Sequence, residues 1–234
     1  DNWAALGCTG WSYDDVLPWF KKAEANVRGQ DEFHGAEGPL WVSDQRWPNK
    51  GSLAFVEAAA QLQLPRNRDF NGERQEGFGL YQVTQRNGER WSAARAYVEP
   101  LRGKRELDVR IGVTVQNIVI ADGRATGVTY MVANKLRTVR ARGAVVLSAG
   151  AFNSPQILML SGIGPGQHLV EHGIDVVDDR QAVGSDLQDH PDYVSSWETA
   201  SRDFLGDSIE GTVRMAKAII EHRRRRTGAM TTPY

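Results

Sequence analysis

Ser148, Ala149, Gly150 and Ala151 are the residues whose types and position point most directly to chemistry. They follow the apolar run 144–147, which is too short for a helix and lacks alternation, so it predicts a strand buried on both faces. Residues 154 and 155, a serine and a proline, then predict the start of a helix. Small residues between a buried strand and a helix N-terminus let a ligand approach the backbone, as in anion and nucleotide sites. The same pattern also occurs in α/β crossovers that bind nothing.

Histidines are the next candidates, because their pKa lies near neutrality. His190 stands beside Asp189 and could act as a general base. His168 and His172 are four residues apart on a predicted helix, which is a metal-like spacing, but no third ligand is near. We expect these two, with His34 and His222, to be surface or capping residues. No metal site is therefore predicted.

Composition bounds the class of protein. The 234 residues are 41% hydrophobic and 24% charged, which is typical of a globular protein of one large or two small domains. A net charge of −1 argues against a polyanionic partner, and the single cysteine, Cys8, excludes an internal disulfide. No apolar run is long enough to span a membrane. We expect a cytoplasmic protein that binds no nucleic acid.

Two side-chain groups have a functional and a simpler interpretation. The arginine run 223–226 could bind an anionic surface, but cations also stabilise helix C-termini, and we favour a solvated helix end. The seven tryptophans could form a stacking surface. Four of them lie in or near amphipathic or strand segments, so we expect core positions for Trp3, Trp11, Trp19 and Trp41.

The first hundred residues predict helices joined by irregular chain. A helix is expected over 12–27, with Ser12 and Asp15 as a capping box and Pro18 as a kink. Further helices are expected over 52–64 and from Ser92 to before Pro100. The expected strands of this half are short and cover 40–42 and 80–84.

From residue 107 the pattern changes to strands. A short strand is predicted over 107–111, and the alternation over 114–120, 124–132 and 136–142 predicts a three-stranded meander with Asp122-Gly123 as a hairpin turn. The buried strand 144–147 and its helix follow, stopped by Gly162. The remaining predicted elements are a helix at 165–172, a strand at 174–177 and a helix at 209–226.

The run 150–165 resembles a signature of the glucose-methanol-choline family of flavin-dependent alcohol oxidoreductases, whose pattern is close to GAxxSPxxLxxSGIGP. The matching positions are Gly150, Ala151, Ser154, Pro155, Leu158, Ser161, Gly162, Ile163, Gly164 and Pro165. Stretches 10–20, 71–77, 90–97 and 187–191 are similar to other blocks of the same family, in the same order. The similarity is strongest to bacterial choline-dehydrogenase-like members.

The resemblance implies an α/β fold, an FAD-binding Rossmann-like domain with a β-meander crossover, joined to part of a mixed-sheet substrate domain. It implies FAD as cofactor and places the backbone of Val115 against the adenine, in a GxxVxxI context, with residues 148–151 beside the adenosine. The alternative for Val115 is an ordinary strand residue. The expected division is 1–106 shared between the two domains, 107–182 in the FAD-binding domain and 183–234 at the start of a substrate-domain segment.

The resemblance also implies what the chain does not carry. The family's G-x-G-x-x-G phosphate loop would lie upstream of Asp1, and its catalytic histidine downstream of Tyr234. The chain is thus expected to be an internal piece without a catalytic residue, and His190 to be structural at the domain junction. Asp186 stands where relatives carry asparagine, and an ionised aspartate cannot donate that hydrogen bond.

For the whole protein, the resemblance implies oxidation of a primary alcohol, choline-like or aromatic or aliphatic, to an aldehyde by hydride transfer to flavin N5. The implied partners are the alcohol and an electron acceptor such as oxygen or a quinone. Two alternatives remain open: a flavin-containing cyanohydrin lyase of the same family, and a truncated remnant without activity. On its own, the 234-residue chain is expected to be inactive.

Overall fold

The computed structural model describes residues 1–192 and 208–231. Backbone contacts divide the chain into two units. The first contains Asp1–Leu107 and the described C-terminal residues 208–231, and the second contains residues 108–192. Whether these units correspond to the expected FAD-binding and substrate domains stays a prediction.

The first unit begins with two helices, α1 (Asn2–Ala5) and α2 (Tyr13–Ala23). The predicted capping box of α2 forms: Ser12 Oγ accepts from Asp15 N at 3.2 Å, and the Asp15 carboxylate accepts from Ser12 N at 3.1 Å. The helix ends four residues before the predicted end at 27, because Glu24 turns to extended backbone. Residues Glu24–Asn26 form β1, which pairs in parallel with β2 (Leu40–Val42).

The middle of this unit is only partly regular. Helix α3 (Lys50–Gln61) begins at the cap Asn49, whose side chain accepts from Gly51 N. The predicted strand 80–84 forms a single bridge, from Val83 to Ser43. A short hairpin follows, formed by β3 (Gln85–Arg86) and β4 (Glu89–Arg90). The predicted third helix is wrong in type, since it is a π-helix (Ala94–Val98) followed by a 3₁₀ turn (Glu99–Leu101) that contains Pro100.

The C-terminal part of the first unit is the long helix α6 (Ile209–Arg225), followed by a 3₁₀ turn (Ala229–Thr231). Both are tied to the β3–β4 hairpin. His222 Nε2 lies 3.0 Å from Gly88 O, and Gln85 Nε2 donates to Thr231 O at 2.7 Å. An ion pair of 3.0 Å joins Arg226 to Glu89.

The second unit contains the predicted meander. Strands β5 (Thr114–Ala121), β6 (Arg124–Val132) and β7 (Lys135–Arg140) are antiparallel and lie in the order β5-β6-β7. Asp122 and Gly123 join the first two, with φ of 50° and 72°, as a type I′ hairpin turn requires. Helix α4 (Gly150–Leu160) packs against β5.

The remaining elements of this unit are short. Strand β8 (Ile163–Gly164) pairs in parallel with β9 (Asp178–Asp179), and α5 (Gly166–Glu171) lies between them in the chain. The strand predicted over 174–177 is wrong in position, because β9 begins only at Asp178, directly after that range. The large buried side chains of the unit are Ile118, Ile157 and Leu169.

The strand predicted over 144–147 does not form, and this prediction is wrong for the described chain. The segment has no ladder partner among the described residues, and Val146 is 85% exposed. A strand exists only where a neighbour completes its hydrogen bonds, and the meander does not extend to this segment. The predicted strand 107–111 is absent for the same reason, with Ile111 88% exposed.

The start of α4 also differs from the prediction. Gly150 has a φ of +86°, a sharp entry that glycine adopts easily, so the helix begins four residues before Ser154. Pro155 lies inside the helix. Because proline has no backbone N–H, one intrahelical hydrogen bond is missing at this position. The end is as predicted, with Gly162 at φ +81° directly after the capping residue Ser161.

Candidate functional site

The cofactor-binding residues predicted from sequence lie on elements of the second unit that pack together. Val115 is on β5, opposite Tyr130 of β6, and is 37% exposed. Gly150 and Ala151 form the first turn of α4, the helix that packs on this strand. Ser148 and Ala149 lead into that turn, and Ala149 N donates to Ser154 Oγ at 3.0 Å. The roles assigned to these residues stay a prediction.

The space beside this turn is open. A Cβ atom built on Gly150 meets no atom within 4 Å, and the residues on either side are alanines. The N-terminal cap, Ala149, makes no side-chain hydrogen bond to the first turn. The α4 N-terminus therefore offers backbone N–H groups to a polar or anionic group, with small side chains at 149–151 and the exposed Phe152 next in the turn.

Ser161 holds the strand and the helix together, and sequence reasoning gave it no role beyond the motif. Its Oγ accepts from Ile118 N at 2.8 Å and donates to Ile157 O at 2.6 Å, and the side chain is buried. Because β5 is at the edge of the sheet within the described residues, this hydroxyl satisfies a backbone donor that no strand of that part of the chain covers. Ser161 thus fixes the distance between β5, which carries Val115, and α4.

The first unit contains a buried ionic cluster. His34 is 5% exposed, so the prediction that it is a surface or capping residue is wrong. Its Nδ1 lies 2.9 Å from Glu24 Oε2, and its Nε2 lies 2.8 Å from Asp69 Oδ2. Burial by itself lowers the pKa of His34, but the hydrogen bonds and charges of Glu24 and Asp69 outweigh it, so the pKa is raised above 6.5.

The cluster borders a cavity of about 580 Å³ in the same unit. Most of its wall is apolar and aromatic, and Glu24 and His34 supply polar groups. The aromatic residues of the wall are Tyr13, Phe20, Phe33 and Phe70. Glu73 adds a further charge to the wall. An apolar cavity with a few polar or charged groups is a common arrangement in small-molecule sites.

The other histidines form no cluster of this kind. His190 is exposed, and its backbone N–H donates to the Asp189 carboxylate at 2.8 Å. The ring of His168, on α5, lies 4.4 Å from the ring of His172, the residue that follows this helix. Over residues 1–192 and 208–231, no group of three or more histidine, cysteine or acidic residues could hold a metal. In the same ranges, no helix is long and apolar enough to cross a membrane.

Core positions were predicted for four tryptophans, and the prediction is wrong for three of them. Trp3, Trp11 and Trp19 are 61%, 55% and 66% exposed, so they are not core residues. The guanidinium of Arg86 lies 4.7 Å from the ring centre of Trp41 and 5.0 Å from that of Trp91. Both indoles therefore contact the chain's own arginine.

Comparison with known proteins identifies similar chains. A family model described as GMC oxidoreductase matches residues 1–192. The oxygen-dependent choline dehydrogenase of Rhizobium johnstonii is 46% identical over 193 residues, which are 82% of this chain and 35% of that protein. The chain thus spans about a third of the length of the curated relatives it matches.

Two solved structures are also similar. The FAD-dependent oxidoreductase from Chaetomium thermophilum matches with a TM-score of 0.83 and 27% identity, over 99% of this chain and 43% of that one. Pyridoxine 4-oxidase from Mesorbium loti matches with a TM-score of 0.66 and 32% identity, over 74% of this chain and 34% of that one. These matches confirm the expected fold class, an α/β part of a larger FAD-binding fold.

Proposed function

Because the chain belongs to the GMC oxidoreductase family, we propose that it forms the middle part of an FAD-dependent enzyme that oxidises a primary alcohol to an aldehyde. The observation that carries this proposal is the 46% identity to an oxygen-dependent choline dehydrogenase over 82% of the chain. The substrate we propose is a choline-like alcohol, and the electron acceptor is oxygen or a quinone. Aromatic or aliphatic alcohols are the next candidates.

FAD fits the residues of the second unit. The open space beside Gly150 and the small side chains of Ala149 and Ala151 would admit the adenosine part of the cofactor. The backbone of Val115, on the strand that α4 packs against, would contact the adenine, and Ser148 would lie close to the adenosine part. What supports this assignment is the packing of α4 on β5 and the hydroxyl bridge of Ser161.

The residues of this chain would act in the reaction by binding and orientation. FAD, when bound, supplies the redox chemistry and accepts the hydride of the alcohol carbon. Residues 148–151 and Val115 would hold its adenosine end, which fixes where the reactive ring lies. We assign no catalytic acid or base within the described residues, and propose that the 234-residue chain alone is inactive.

The proposal is tested on the full-length protein that carries this chain. Anaerobic mixing with choline or benzyl alcohol should bleach the bound flavin, and air should restore the colour if oxygen is the acceptor. A cyanohydrin lyase would instead release aldehyde and cyanide from a cyanohydrin without bleaching. A full-length protein that binds no FAD and converts neither substrate would overturn the proposal in favour of a remnant.

A further inference from the structure

Both ring nitrogens of His34 face carboxylate oxygens. Nδ1 lies 2.9 Å from Glu24 Oε2, and Nε2 lies 2.8 Å from Asp69 Oδ2. A neutral imidazole has one N–H and one bare lone pair, and an ionised carboxylate only accepts. The geometry therefore satisfies both carboxylates only when both nitrogens carry a proton.

The neighbouring amides do not change this assignment. Asn26 Nδ2 lies 3.0 Å from Glu24 Oε1, 2.9 Å from Gln82 Oε1 and 3.2 Å from His34 Nδ1. An amide nitrogen has two hydrogens, which the two oxygens take. The Nδ1 position of His34 is thus left to donate to Glu24.

The cluster joins parts of the chain that are distant in sequence. Glu24 belongs to β1, whereas Asp69 belongs to the loop 67–78. The second oxygen of Asp69 accepts from Asn71 N at 2.9 Å, so the same carboxylate shapes the loop and ties it down. Asn67 Nδ2 closes the loop by donating to Arg74 O and Glu76 O.

We propose that His34 is an imidazolium clamp, which fastens the loop 67–78 to β1 and releases it when the ring loses a proton. The loop supplies Phe70, Asn71, Gly72 and Glu73 to the wall of the cavity. Release of the loop opens that wall. The clamp thus makes access to the cavity depend on pH.

The charges around the ring favour the protonated state. Glu24 and Asp69 face it directly, and Asp31, on the same segment as His34, accepts from His34 N at 2.7 Å. Glu73 also lines the cavity. Two cations oppose these charges: Lys21 of α2, whose Nζ is held 2.6 Å from Asp31 O, and Arg28, whose Nη1 donates to Arg68 O at 2.8 Å and whose Nη2 is paired with Asp44. Three carboxylates at or beside the ring thus outnumber the two cations.

The direction of the pH effect follows from the folded-state pKa of His34, which is raised above 6.5. A raised histidine pKa means that the clamp stabilises the loop fully below the unfolded value and is lost as pH rises through the folded value. The loop should therefore be closed below about pH 6.5 and open progressively above it.

The test is amide hydrogen exchange, resolved by mass spectrometry, on the full-length protein over this pH range. After correction for intrinsic rates, the loop 67–78 should exchange about tenfold faster once His34 is neutral, because a charge-assisted hydrogen bond is lost. His34→Gln should exchange at the fast rate at every pH. His172→Gln is the matched control, an exposed histidine of the second unit, and should leave the loop unchanged.

Asp69→Asn separates a protonation clamp from a merely structural contact. An amide keeps an oxygen for Asn71 N and presents an N–H to the lone pair of a neutral ring. This variant should hold the loop closed above pH 6.5, where the unsubstituted protein opens. A loop that is open in Asp69→Asn at every pH, or that exchanges at one rate across the range in the unsubstituted protein, would overturn the proposal.

A second measurement reads the ring itself. Exchange of the histidine C2 hydrogen reports the titration of each histidine, and His168 and His172 serve as internal references. His34 should titrate above 6.5 in the folded protein. Titration below that value would show that burial dominates and that no clamp exists.

Discussion

The hydroxyl of Ser161 accepts a hydrogen bond from the backbone at the edge of the meander. Ser161 follows the last residue of α4, yet its partner Ile118 is 43 residues away in sequence. The contact replaces a missing neighbouring strand with one side chain. The strand that carries Val115 is therefore held by a group that lies within the family signature at the end of the helix.

Substitution of Ser161 by alanine should weaken this junction. The change leaves the buried N–H of Ile118 without an acceptor, which costs about 1–3 kcal/mol of local opening free energy. Hydrogen exchange of peptides from β5 in the full-length protein measures that loss.

The control for this substitution is Ser185→Ala, an exposed hydroxyl that donates to Gln181 O at 3.1 Å. This substitution should change the opening free energy of β5, measured by the same hydrogen exchange, by less than about 0.5 kcal/mol. If β5 exchanges at the same rate in both variants, the hydroxyl bridge of Ser161 contributes nothing to the stability of the strand.

Residues were predictable from sequence where their partners are close in the chain. The capping box of Ser12 and Asp15 spans three residues and forms as predicted. His34 was placed wrongly because Asp69 is 35 residues away, and no local pattern shows which loop will cover a histidine.

At the scale of elements, the meander depends on a turn in which glycine is needed. Gly123 has a φ of 72°, and a Cβ at this position meets no atom within 4 Å. The cost of Gly123→Ala is therefore conformational and not steric. We expect a loss of about 1–2 kcal/mol, measured as the opening free energy of β5 and β6 by hydrogen exchange.

Gly143→Ala is the matched control for the turn. This glycine also has no atom within 4 Å of a built Cβ, but its φ is not in the left-handed region. Substitution there should be neutral or slightly stabilising, because it restricts the unfolded chain. Equal losses of opening free energy for the two variants would mean that the added side-chain volume, and not the backbone conformation, causes the destabilisation.

Elements were predictable where hydrogen bonds are satisfied locally. The alternation of 114–132 and the Asp-Gly turn specify a hairpin by themselves, and it forms. The apolar run 144–147 specifies burial but not the partner that would pair with it, so it forms no strand and Val146 is exposed. Parallel strands always depend on such distant partners.

At the scale of the whole molecule, little apolar surface is buried within the described chain. The buried apolar residues are Ala25, Ala59, Ala96, Ile118, Ile157, Leu169 and Ala218. Most of them are alanines, so neither unit has an aliphatic core of the usual size. Large exposed apolar side chains such as Ile111, Val146 and Phe152 are typical of surfaces that pack against more protein.

We therefore expect residues 1–234, expressed alone, to bind FAD weakly or not at all and to oxidise no alcohol. General acid–base catalysis is typically worth about 100- to 10,000-fold, and no residue here is assigned to it. The measurements are a titration with FAD and an assay of choline and benzyl alcohol with an artificial electron acceptor.

The reference for this experiment is a chain extended to the length of the relatives, which should bind FAD and turn over. A soluble, yellow and active 234-residue chain would contradict the expectation. It would show that His190 or another residue of this chain supplies the base.

The contact of Arg86 with both Trp41 and Trp91 has a spectroscopic consequence. Six of the seven tryptophans lie within residues 1–107, and residues 108–192 contain none, with Tyr130 as their sole tyrosine. Indole emission excited at the red edge of absorption therefore comes mainly from the first unit, where two of its sources are in contact with a guanidinium, and Trp197 is the one remaining source. Unfolding of the first unit should change most of that signal, whereas far-ultraviolet circular dichroism detects both units. The two optical signals together separate the loss of one unit from the loss of the other, without any label.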